Sequence, residues 1–348
     1  MKLYIGTRKG LFVLDERGLC APHFLGDPVS AVLPLGHEWY AALNLGHFGV
    51  KLRRSANSGE TWEEISAPAY PPQPAEEKTP WKLLQVWVLE AAGDTLWAGT
   101  IPGGLFRSSD RGASWQLVRN LWERPERAEW FGGGYDHPDI HSICVDRRDR
   151  RRVTVAISCG GVWQTQDGGA NWSLAASGMH ADYMPPEGRH NPNVQDPHRI
   201  VQCPARPDTF WAQHHNGIFR STDGASSWHE VSGTPVSKFG FAVAVHPRHA
   251  DTAWFVPAIK DERRVPVDAA LCVARTNDGG KSFEALRRGL PQAQAYDLVY
   301  RHGLAVDATG EHLAMGSTTG ALWLSQDQGD SWRCVSTHLP PIYCLRFG

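Results

Sequence analysis

The histidines of this 348-residue chain gather with carboxylates and tyrosines in a few irregular segments. One runs Phe131-Gly132-Gly133-Gly134-Tyr135-Asp136-His137-Pro138-Asp139-Ile140-His141. Others are His180-Ala181-Asp182-Tyr183, then His190, then Asp196-Pro197-His198-Arg199, while His47 and the pair His214-His215 sit in turns. Imidazoles beside carboxylates are a donor set for zinc, copper, nickel or iron. His47, His141, His198, His214 and His215 are therefore the candidate ligands of one transition metal ion. Asp139, Asp196 and Tyr183 are the candidates for moving a proton there, either aspartate also being near enough in sequence to ligate or to orient a ring. Trp130, Tyr135, His180 and His190 are candidate substrate contacts. Lys260 and Arg263, in Lys260-Asp261-Glu262-Arg263-Arg264, could grip a carboxylate or phosphate. The bland reading of each histidine is a hydrogen bond to a nearby carbonyl or water, and His137-x-x-x-His141 lies on no predicted helix.

The elements that must hold these segments announce themselves as a repeat. Hydroxyl-x-Asp-x-Gly-x-x-aromatic occurs six times, at Ser55–Trp62, Ser108–Trp115, Thr165–Trp172, Ser221–Trp228, Thr276–Phe283 and Ser325–Trp332, with Asn57, Ala225 and Phe283 as departures. The acidic position moves from 57 to 327 in five steps, a mean period of 54 residues. That length fits one four-stranded propeller blade and is too long for an ankyrin or tetratricopeptide unit. A short Asp side chain and a hydroxyl can accept backbone N–H groups in a tight turn, Gly takes positive φ, and the ring packs beneath the sheet. The motif therefore fixes a hairpin and needs no catalytic explanation.

In these residues the chain resembles the Asp-box proteins, also called bacterial neuraminidase repeat proteins, which include sialidases, some glycoside hydrolases and photosystem assembly factors. The resemblance implies an all-β propeller. Six boxes give six blades, and a seventh is expected from both ends: Lys2–Thr7 and Gly10–Leu14 read as its middle strands, Ile342–Phe347 as its inner one. The expected unit is one seven-bladed domain over 1–348, closed by a blade shared between 1–27 and 340–348, with no exposed sheet edge. The boxes all fall on one face, so the His-rich loops share the other. Aligning inner strands places His141, His198, Phe241 and Tyr296 around the central channel.

Composition narrows the function. The 35 basic and 37 acidic side chains leave a formal charge of −2, and no apolar run approaches a bilayer's width, so neither nucleic acid nor membrane is an expected partner. Seven cysteines without a Cys-x-x-Cys pair read as reduced thiols, and the N-terminal alternation reads as a strand rather than a signal, which suggests a cytoplasmic protein. The sialidase resemblance implies an Arg-Ile-Pro segment and six blades; neither is present, so exo-sialidase activity is not expected. The leading expectation is a metal-assisted hydrolase or lyase acting on a small polar substrate or glycan, without a nucleotide cofactor. The alternative is a non-catalytic scaffold that binds protein or glycan. Arg147 to Arg152 read as solubilising surface.

Overall fold

A computed structural model describes residues 1–77, 80–133 and 135–348. They form seven four-stranded antiparallel sheets, each a simple meander, arranged as the blades of a propeller. The inner strands are Val29–Leu35, Gln85–Ala92, Ile140–Val145, Pro197–Cys203, Gly240–Val245, Leu304–Val306 and Ile342–Phe347, in blades 1 to 7. Blade 7 is composite. Ile342–Phe347 pairs antiparallel with Leu3–Thr7, matching Leu3 to Phe347 and Ile5 to Leu345, and Gly10–Asp15 and Gly18–Leu19 complete the sheet. None of the helices among the described residues is long and apolar enough to cross a membrane, and all seven cysteines are free thiols.

The tryptophan content explains the packing between blades. Trp163, Trp211, Trp228 and Trp254 are fully buried between neighbouring sheets. Their indole N–H groups donate to the carbonyls of Gly160, Ala250, Ala175 and Gln328 at 2.7–2.9 Å. Each ring thus fills inter-sheet space without leaving a polar atom unmatched.

All six repeat motifs fold alike. In the second, the Ser108 hydroxyl donates to Asp110 Oδ1 at 2.7 Å and accepts the Gly112 N–H at 2.8 Å, while Asp110 Oδ1 accepts the Ser114 N–H at 2.9 Å. Asn57 makes the corresponding bonds, so an amide oxygen can stand in for the carboxylate. Gly112 has φ +85°, and Ala225, standing where the other repeats have Gly, is held at +68°. Because the Ser108 hydroxyl is buried, Ser108→Ala orphans backbone donors. It should cost about 1–3 kcal/mol, measurable by urea unfolding.

Hydrogen bonds from the neighbouring Ser or Asn side chains, then from backbone N–H groups, hold Asp110, Asp167 and Asp278 at about 2, against 3.8 ordinarily. A depressed folded-state pKa stabilises above the unfolded value and is lost as pH falls through the folded one. The melting temperature should therefore hold down to about pH 5 and fall between roughly pH 4 and 2. A flat melting temperature to pH 2 would show that these carboxylates contribute nothing.

Candidate functional site

One backbone irregularity, repeated around the ring, builds the channel mouth on the face opposite the repeat hairpins. Six inner strands carry a register shift at their first residues: after Val29, Val86, Ile140, Pro197 and Gly240, and across Ile342 to Cys344. A bulge leaves a residue out of the ladder and re-aims it. Ser30, Trp87, His141, His198, Phe241 and Tyr343 occupy these places. In blade 6 the expectation for Tyr296 needs correcting. Tyr296 is exposed in the preceding connection, whose Leu298 and Val299 are buried, and the inner strand begins only at Leu304. Gly303, just before it, runs against the neighbouring strand: a Cβ there would lie 2.7 Å from the Gly316 carbonyl. Arg301 and His302 therefore reach the channel instead.

Asp196, His198 and His215 come together at the mouth, with one candidate ligand atom from each lying within 4.8 Å of the others. Asp196 precedes the blade-4 inner strand and His215 follows the second strand of that blade. Asp196 Oδ1 is occupied by the Ser158 hydroxyl at 3.0 Å and the Cys159 N–H at 3.3 Å. Oδ2 thus faces His198 Nε2 at 3.4 Å and His215 Nδ1 at 3.5 Å. The His198 ring stacks on Phe241, centroids 4.4 Å apart, and its Nδ1 donates to the Gly240 carbonyl at 2.6 Å. Burial lowers the His198 pKa despite Asp196 beside it, and in its neutral form a ring that donates from Nδ1 turns its Nε2 lone pair to the carboxylate oxygen. In that form two lone pairs face each other at 3.4 Å, an arrangement that a cation between them would relieve. Separations of 3.4 and 3.5 Å are long for hydrogen bonds. They match the edge of a tetrahedron around an ion with bonds of about 2.0–2.2 Å. Asp196 is held well below the ordinary carboxylate range: burial would raise it, but the two imidazoles and Arg301 outweigh that. His215 is raised, since Asp196 outweighs its burial.

The other proposed ligands lie apart. Both ring nitrogens of His214 face backbone N–H groups, of Asp196 and Asn216, at 3.1 Å, and burial lowers its pKa to about 3. It supports the Asp196 backbone and offers no free lone pair. His141 is fully buried, with Nδ1 on the Ser142 hydroxyl at 2.9 Å and Nε2 without a partner among the described residues. His47 is exposed in the short turn Gly46–Phe48, against Phe48.

Of the proton carriers, Asp139 is fully buried with both carboxylate oxygens unpartnered among the described residues. Burial, opposed by Arg301 and reinforced by Asp196, raises its pKa to about 7. The Tyr183 hydroxyl donates to the Val194 carbonyl at 2.6 Å, and burial pushes its pKa up. It holds the Asp182–Gln195 connection and edges onto the His215 ring, 5.1 Å between centroids.

The proposed substrate contacts divide similarly. Trp130 is buried on Trp163, its N–H on Asn193 Oδ1 at 2.9 Å, so it pins its loop. His180 bridges Asp182 and Glu230 at 3.1 Å each, outside the Asp196–His198–His215 group, and His190 is exposed beside it. Lys260 and Arg263 are exposed on the outer limb of their turn. The residue of that turn that reaches the mouth is Arg264, anchored by Asp261 at 3.0 Å and lying over the Phe241 ring. Tyr135 does line the mouth, edge-on to Trp87 with centroids 5.2 Å apart.

Beside the three ligand atoms opens a cavity of about 770 Å³. Trp87, Tyr135, Tyr300 and Tyr343 line it, with the side-chain amides of Asn44 and Gln85. Arg264 and Arg301 line both this cavity and the Asp196–His198–His215 recess. Arg301 is 4% exposed, sits between Trp87 and Phe241 at 5.0 and 5.6 Å, and its Nε has no partner among the described residues. A buried guanidinium with no carboxylate oxygen within 4.0 Å among the described residues suits an incoming anion or a polar oxygen.

No family model matches the chain. An alignment of 152 residues, covering 38% of the chain and 16% of the xyloglucanase Xgh74A of Acetivibrio thermocellus, is 26% identical. Among solved structures, the GH74 xyloglucanase from Xanthomonas campestris superposes with a TM-score of 0.67 at 18% identity, covering 96% of this chain and 52% of that one. YCF48 bound to D1 peptide superposes at 0.54 with 12% identity, covering 93% and 87%. The chain thus spans about half of the solved xyloglucanase and a sixth of the curated one. These likenesses support a seven-bladed propeller resembling glycoside hydrolases of that class.

Proposed function

We propose that the protein is a metal-assisted hydrolase or lyase acting on a glycan or other small polar substrate in the aromatic cavity. The observation that carries this reading is the convergence of Asp196 Oδ2, His198 Nε2 at 3.4 Å and His215 Nδ1 at 3.5 Å, with His198 Nδ1 already on the Gly240 carbonyl. A divalent ion bound there would polarise a substrate oxygen or activate a water. The chain's own groups do the rest. Ser158 and the Cys159 N–H aim Asp196, and the Gly240 carbonyl and Phe241 aim His198. Trp87, Tyr135 and Tyr343 offer faces and edges for sugar rings, and Asn44 and Gln85 offer hydroxyl partners. Asp139, poised near neutrality, can hold or release a proton beside Arg301. The likeness to xyloglucanases supports a glycan as ligand, and the six equivalent hairpins support reading the chain as an Asp-box protein.

Arg301→Gln tests the substrate half of the reading. It should lower kcat/KM on a cleaved polysaccharide by about 10²-fold while metal content stays at the wild-type level. Unchanged kinetics would remove Arg301 from the site. A second reading, a protein- or glycan-binding scaffold, is favoured by the exposure of Phe48 and Tyr135 at the same mouth and by the likeness to YCF48. It predicts ligand capture without turnover, whatever the metal content.

A further inference from the structure

We propose that the central channel holds a second binding site, for a small polyanion, reached from the hairpin face. The channel encloses about 730 Å³ between the inner strands, and its lining includes Glu90, Arg147, Arg150, Arg199, His302 and Arg346. Its charges do not balance. Glu90 is taken by Arg346 through bonds of 2.8 and 2.6 Å. Asp146 at the rim is taken by Arg148 at 2.8 Å and Arg152 at 3.3 Å, and Asp307 by Thr309 and His312. Among the described residues no carboxylate lies within 4.0 Å of Arg147, Arg150 or Arg199. The Arg199 guanidinium instead donates to main-chain carbonyls, those of Arg301 and, at 3.5 Å, Leu304.

The basic run from Arg147 to Arg152 is therefore of two kinds. Arg148, Arg151 and Arg152 are tied to Asp146, Asp149 and Asp208, as solvated surface requires. Arg147 and Arg150 are left for the channel mouth, Arg150 lying across Gly93, where a Cβ would come within 2.0 Å of its Nη1. Two arginines at the rim and a third inside make a positive funnel in a low-dielectric wall. Guanidinium forks match phosphate and carboxylate oxygens. The ligand class is a small molecule bearing two or more negative charges, a phosphate ester or a polycarboxylate. The site shares no lining residue with the Asp196–His198–His215 recess, and His302, whose Nε2 donates to the His141 carbonyl at 2.8 Å, stands between the channel and the mouth cavity, lining both.

The test is calorimetric titration of the whole protein with sodium phosphate and, separately, citrate. Four proteins are compared: wild type, Asp196→Asn, the Arg147→Gln/Arg150→Gln double variant, and Arg199→Gln. Wild type should bind at least one anion. Affinity should fall about tenfold or more in both arginine variants and stay unchanged in Asp196→Asn. Phosphate alone binding would assign a phosphoryl ligand, citrate alone a polycarboxylate. No binding of either anion to wild type would overturn the site. So would binding that survives both arginine variants but is lost in Asp196→Asn, because the anion would then sit at the metal centre. Should Arg199→Gln fail to fold, the exposed double variant decides.

Discussion

Deleting Ile342–Gly348 should leave a chain that cannot hold its native fold. These residues supply the inner strand of blade 7, so their loss opens the ring and leaves Leu3–Thr7 as an unpaired edge. Buried Ile342, Cys344 and Leu345 are removed from the cores they share with Leu3, Ile5 and Val29. The Arg346–Glu90 pair that ties blade 7 to blade 2 across the channel goes as well. Burial and ladder bonds together amount to roughly 10 kcal/mol, comparable with the whole stability of an ordinary domain. The expected result is aggregated or unfolded protein by size-exclusion chromatography and near-ultraviolet circular dichroism. A monomer with a wild-type near-ultraviolet spectrum would refute the closure.

The second large effect is expected from Asp196→Asn. The amide keeps an oxygen for the Ser158 hydroxyl and the Cys159 N–H, so the loop geometry survives. The charge that would draw a cation between His198 and His215 is removed. Metal affinity should fall by about 10²-fold or more, with any turnover falling in step. His214→Gln is the contrast. Its ring nitrogens lie against the Asp196 and Asn216 backbone N–H groups, one of which its single lone pair accepts, so this variant should lose stability and keep its metal. If Asp196→Asn stays stoichiometrically loaded, Asp196 is no ligand.

Much of the scaffold could be read from residue types alone, because a hairpin motif repeating every 54 residues leaves few folds open. The shared seventh blade was legible for the same reason: strands at both ends lacked partners. The site was legible only in part. His198 and Asp196 fall beside a strand start, where apolar alternation breaks visibly. The same break at Val29-Ser30-Ala31, Val86-Trp87-Val88 and Ile342-Tyr343-Cys344 was a signal that would have revealed Trp87 and Tyr343. Arg301 left no such trace, since the alternation from Tyr296 to Tyr300 belongs to an extended connection whose Leu298 and Val299 pack inward. The roles of His214 and His180 depended on backbone N–H groups and carboxylates brought in by folding. Nothing in the spacing of histidines separates a ligand from a ring whose nitrogens are already taken.

Elemental analysis of the untagged protein by plasma mass spectrometry decides whether Asp196, His198 and His215 hold a metal ion. Near-stoichiometric zinc, copper, nickel or iron is expected, retained through gel filtration and lost in His198→Ala with the fold intact. Metal-free protein that stays so after reconstitution with each of these ions would contradict it.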